Sequence, residues 1–126
     1  MATWDDVRRI VGGLPETAEA SERNWRVRKK LIAWERPLRK ADHAALGPDA
    51  PEGDILGARV ADEGVKFALI ADDPGVYFTT PHFDGYPAVL VRLSDIGVAE
   101  LEELLTEAWL AHAPKTLAKA FLRNNG

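Results

Sequence analysis

The chain has 126 residues, 46% of them apolar and 29% charged, with 16 basic side chains against 20 acidic ones and no cysteine. That describes one globular domain, residues 1–126, and it excludes disulfides, thiolate metal centres and a cysteine nucleophile. No apolar run approaches the ~18 residues of a membrane span, and Met1 to Asp6 has neither a basic stretch nor an apolar one, so no membrane and no secretion signal are expected and the cytoplasm is the default location.

Thr3 suits the cap of a first helix, with Asp6 in its first turn and Trp4, Val7, Ile10 or Val11, and Leu14 along one face. Gly12-Gly13 ends it, and Pro15 to Ser21 reads as a loop or a short helical turn. From Asn24 to Trp34, Trp25 and Val27 alternate with Arg26 and Arg28, which predicts a β-hairpin with a basic tip near Arg28-Lys29. A second helix is expected over Leu38 to Leu46, ended by Gly47-Pro48, and then a loop to Gly53. Leu56 to Ala61 and Val65 to Ala71 read as two strands joined by a turn at Asp62-Glu63-Gly64. Asp73 is placed to cap a single helical turn at Pro74. Ala88 to Leu93 reads as the last strand. Val98, Leu101, Leu105 and Ala108 recur at helical spacing, and Pro114 opens a final helix in which Leu117, Ala118 and Phe121 face inward. The expected fold is α+β, with a curved antiparallel sheet and flanking helices in the order helix–strands–helix–strands–helix.

Charge is unevenly spread. Between Arg23 and Lys40 stand eight cations (Arg23, Arg26, Arg28, Lys29, Lys30, Arg36, Arg39 and Lys40) opposed only by Glu35, so this window is +7 and the remainder of the −4 chain is −11. Such a dipolar surface attracts a polyanion locally despite the overall sign. Lys115, Lys119 and Arg123 form a further basic stripe at i, i+4 and i+8, which also suits the dipole of its own helix.

Pieces along nearly the whole chain resemble one family. They are Leu14-Pro15-Glu16, Trp25-Arg26-Val27 with the basic turn ending in Lys30, the Lys66 to Ala71 segment read as a strand, Thr80-Pro81-His82-Phe83-Asp84-Gly85-Tyr86-Pro87, Val89-Leu90-Val91-Arg92-Leu93, and Ala108-Trp109 before Ala113-Pro114. Together they resemble the MmcQ/YjbR family of small bacterial proteins. That resemblance implies a compact α+β unit likened to a double-wing DNA-binding module. It brings no catalytic motif and no cofactor.

Two functions are therefore expected. The first is non-enzymatic DNA binding, with phosphates met by Arg26, Arg28, Lys29, Lys30, Arg36, Arg39, Lys40, Lys115 and Lys119. The second is a module for an anionic small ligand or an acidic protein, using the loop 79–87. There Trp34, His82, Asp84, Tyr86 and Arg92 would form a rim, with a closed pocket between His82, Tyr86 and Trp34 as its sign. Arg92 is expected to pair with Asp84 or another carboxylate. His82 and Asp84 lack enough partners for a metal site. His43 is placed on a helix surface and His112 near a helix C-terminus, where a cationic imidazole is stabilised.

Overall fold

A computed structural model describes residues 1–125. Its elements in chain order are α1 (Trp4–Gly12), β1 (Thr17–Ser21), β2 (Asn24–Val27), β3 (Lys30–Glu35), α2 (Lys40–Leu46), β4 (Ile55–Arg59), α3 (Glu63–Asp72), β5 (Tyr77–Phe78), β6 (Ala88–Arg92), α4 (Val98–His112) and α5 (Lys115–Asn125). The six strands form one sheet in the order β1-β2-β3-β4-β6-β5. Every neighbouring pair is antiparallel, so the fold is α+β as expected.

The first helix forms as its sequence dictates. The Asp6 amide donates to Thr3 Oγ1 at 3.2 Å, and the Thr3 amide donates to Asp6 Oδ2 at 2.9 Å. This reciprocal cap satisfies two amides that a helix start would otherwise leave without partners. Trp4, Val7, Ile10 and Val11 are buried, and the Trp4 ring stacks on Trp25 with centroids 6.1 Å apart.

Two expectations are corrected. Thr17 to Ser21 is an edge strand rather than a loop or helical turn. Its sequence, Thr-Ala-Glu-Ala-Ser, is a poor strand former; tertiary anchors decide the matter. Thr17 Oγ1 donates to the Val11 and Leu14 carbonyls at 2.7 and 2.9 Å, and Glu19 accepts the Arg8 guanidinium at 2.7 and 3.0 Å. Val65 to Ala71 is not a strand: it lies in α3. Asp62 is not in a turn but is the cap, accepting the Val65 amide at 2.9 Å. A seven-residue run that is apolar but for Lys66 has no decisive period, and here the cap outweighs strand propensity. A single turn forms at Pro74 as expected: the Asp73 carbonyl accepts the Val76 and Tyr77 amides, both at 3.0 Å, which brings the chain into β5.

The inner face of the sheet carries the main core. Trp25, Val27, Leu56, Ala58, Val89, Val91 and Tyr77 meet α1 and the Leu101, Leu104, Leu105 and Trp109 side of α4. The β2–β3 register passes from Trp25↔Ala33 to Arg26↔Leu31, which leaves Ile32 as an extra residue. That bulge lets Ile32 and Ala33 both be fully buried. Leu117, Ala118 and Phe121 of α5 pack on this core as expected. The outer face holds a smaller cluster of Ile55, Phe78, Phe83, Ala88 and Leu90, with Trp34, Leu38 and Leu46 against it.

Candidate nucleic-acid interface

The loop 79–87 is a shaped turn. Pro81–Phe83 makes one turn of 3-10 helix, and Gly85 adopts φ +77°, a region only glycine enters freely. Its organiser is Lys66, which sequence reasoning missed as a functional position by placing it on a strand. The Lys66 side chain is fully buried, and its ammonium donates to the Phe83 carbonyl at 2.7 Å and the Tyr86 carbonyl at 3.0 Å. Glu63 lies 4.0 Å away as a counter-charge. A buried ammonium is tolerated only with such partners, so helix and loop stand or fall together.

No closed pocket lies between Trp34, His82 and Tyr86, because Phe83 fills that space. The buried Phe83 ring lies 6.2, 4.9 and 6.3 Å from those three rings, respectively. Trp34 itself lies flat over β4: a Cβ on Gly57 would come within 2.5 Å of its ring. His82 and Asp84 are exposed. Arg92 does not pair with Asp84. Its guanidinium donates to the Pro74 carbonyl at 3.1 Å and covers the Phe78 ring at 4.6 Å. Among the described residues, no group of three or more His, Asp or Glu side chains is placed to hold a metal ion.

The basic window divides into charges that hold the fold and charges left for a partner. Arg36 is buried and cannot meet a phosphate. It pairs with the buried Asp42 at 3.0 Å, lies over the Phe83 ring and donates to the Pro37 carbonyl. Burial by itself would raise the Asp42 carboxyl, but the Arg39 amide, the Arg36 guanidinium and the Thr80 hydroxyl reverse this and hold it below its ordinary value. Arg28 adopts φ +52° and is engaged twice by Glu16, at 2.7 and 3.2 Å. That pair holds a turn that lacks the usual Gly or Asn. Arg23 pairs with Glu35 at 3.0 Å and covers the Trp4 ring.

Lys29, Lys30, Arg39, Lys40, Lys115 and Lys119 are exposed. Among the described residues they make no ion pair. They do not form one patch. Arg39 and Lys40 follow the Glu35 end of β3, opposite the hairpin tip, and Lys115 and Lys119 lie on α5. At the hairpin end, contacts join a continuous row. Arg26 reaches the Lys29 carbonyl at 2.9 Å, and Arg59 reaches the Leu31 carbonyl at 3.3 Å and lies 5.7 Å from the exposed Tyr86 ring. Strand alternation places Arg26, Trp34 and Arg59 together on the outer face, opposite the core residues Trp25, Ala33 and Ala58. Arg59 is legible only by this alternation, as the outward residue between Ala58 and Val60. His112 lies close to this end. Burial, then Arg59 and Lys30, lower its pKa, while Nδ1 meets the Ala108 carbonyl at 2.8 Å. The expectation of a stabilised cationic imidazole is therefore reversed.

Fold and site together define a small α+β domain with one group of cations at the hairpin end of an antiparallel sheet and other exposed cations on α2 and α5. Family models were searched and none matches the chain. The chain belongs to one family with uncharacterized protein Mb2600 of Mycobacterium bovis and uncharacterized protein Rv2570 of Mycobacterium tuberculosis. It is 71% identical to each over 129 residues, covering 100% of both chains. Among solved structures, Deinococcus radiodurans protein DR2400, a DUF419 domain, matches with a TM-score of 0.66 at 20% identity, over 98% of this chain and 88% of that one. That likeness concerns the fold.

Proposed function

We propose that the protein binds DNA without catalysing a reaction, through the row Arg26, Lys29, Lys30 and Arg59 at the hairpin end of the sheet. The observation that carries this reading is the outward face shared by Arg26, Trp34, Arg59 and the exposed Tyr86, with the exposed Lys29 and Lys30 at the hairpin tip beside it and Lys30, paired with the core residue Val27, on the other side of its strand. Cations on a β-surface position a phosphate backbone without reading sequence, and adjacent rings offer stacking to bases or sugars. The resemblance to the MmcQ/YjbR family, with its double-wing comparison, supports the same reading, and the cysteine-free sequence fits the cytoplasm. Arg28 and Arg36 are left out of the interface, being committed to Glu16 and Asp42.

The test is fluorescence anisotropy with labelled mixed-sequence duplex and single-stranded DNA. With about three phosphate contacts, affinity should fall roughly fifty-fold between about 50 and 200 mM salt. Lys29→Glu with Lys30→Glu should abolish binding, and Tyr86→Ala should weaken the single strand by about 1–3 kcal/mol. No binding of either DNA at low salt, or binding indifferent to the double change, rejects the reading.

A further inference from the structure

A groove of about 470 Å³ lies between α3 and α4, on surfaces that share no residue with the proposed DNA-binding row. Its walls are apolar, built from Val60, Val65, Leu69, Leu104 and Ala108, and its rim carries Asp72, Glu100, Glu103 and Glu107. Val65 is 40% exposed there, an apolar side chain left open to solvent at the mouth. Asp72, Glu103 and Glu107 make no ion pair among the described residues. Lys66, the one lysine of α3, points away from the groove to the carbonyls of Phe83 and Tyr86. The buried Tyr77 hydroxyl donates to Glu100 at 2.8 Å, which leaves the phenol oxygen free to accept a hydrogen bond.

We infer that this groove binds a small amphipathic cation: an amine with an apolar body seated on Val65, Leu69 and Leu104 and its ammonium held by Glu103 and Glu107. The volume lies within the range of small-molecule sites, whose walls are largely apolar and whose few polar groups set orientation. Four carboxylates around an apolar floor select against an anion of the same shape, since an anion would be desolvated beside like charge. A methylated or bare ammonium without a body would forgo the apolar contact, which supplies most of the attraction.

The experiment titrates isotope-labelled protein with octylammonium, following backbone amides by NMR. Octanoate serves as the probe of equal body and opposite charge, and methylammonium as the probe of equal charge without the body. Octylammonium should shift the amides of Ala61, Val65, Leu69, Leu104 and Ala108 saturably, with a Kd below about 1 mM. Octanoate and methylammonium should each bind at least about tenfold more weakly. Glu103→Gln with Glu107→Gln changes two exposed side chains, so the fold survives and octylammonium binding should drop about tenfold. Equal binding of octanoate, no saturable shift with octylammonium, or an unchanged Kd in the double variant overturns the inference. So does selective response to a basic amphipathic peptide when octylammonium gives none, which would make the groove a protein-docking surface.

Discussion

Cations of opposite kind stand at the two ends of β3: a buried Arg36 at one, with the exposed Arg39 and Lys40 beyond it, and the exposed Lys29 and Lys30 at the other, beside an Arg28 held by Glu16. At the Glu35 end, Arg36 is internal, paired with Asp42, and its neighbour in space, the loop 79–87, is held by an equally internal Lys66. At the Lys30 end, Lys29 and Lys30 are exposed and make no ion pair among the described residues. In sequence these cations look alike, and most stand within one basic window. What separates them is whether a carboxylate or a carbonyl reaches the side chain before water does. A charge count therefore overstates an interface, and only the unburied, unpaired members bear on a partner.

The comparison breaks most sharply at Arg36. Arg36→Met leaves the Asp42 carboxylate buried without its cation and should cost about 3–5 kcal/mol in denaturant unfolding. Because Asp42 is held below its ordinary value, the native arrangement is stabilising above about pH 4 and weakens as acid protonates it, so the penalty should shrink below that pH. Lys66→Met should cost about 1–2 kcal/mol, since the Phe83 and Tyr86 carbonyls each lose one donor while keeping the Tyr86 and Ala88 amides. It should also speed amide exchange from Phe83 to Tyr86. A loss below about 0.5 kcal/mol would show that the loop holds itself.

Glu19→Gln probes a partly exposed pair and should cost less. The Arg8 side chain, then the Arg23 amide, bring Glu19 down to about 2 from 4.5. A depressed carboxyl stabilises above its unfolded value and loses that contribution as pH falls from about 4.5 to about 2. Wild type and Glu19→Gln should thus differ in Tm at pH 7 and converge near pH 2. The smallest effect is expected for Lys29→Glu with Lys30→Glu. Its stability should stay within about 0.5 kcal/mol of wild type, so that any lost DNA binding is not an unfolding effect.

Much of the fold was legible. The Thr3-Asp6 cap, the Trp25/Val27 alternation and the Val98–Ala108 stripe each carry a local signal that packing reinforces. Val65 to Ala71 misled because Lys66 sits in an apolar run where its burial depends on carbonyls 17 and 20 residues away. Thr17 to Ser21 misled because its anchors are on α1. Candidate-site residues were less legible. Nothing local distinguishes Arg28, tied to Glu16, from Lys29 beside it, nor announces that Phe83 occupies the space between Trp34, His82 and Tyr86. Arg59, by contrast, was within reach of strand alternation.

One contact spans nearly the entire chain. Trp109 is fully buried and its indole N–H donates to the Pro15 carbonyl at 2.9 Å, across 94 positions of sequence. Closing so long a loop is entropically costly, so this bond forms only when the sheet between its ends is already assembled. It follows that the α1–β1 junction and α4 should become protected from hydrogen exchange in one step, late in folding, and should open together rather than fray separately.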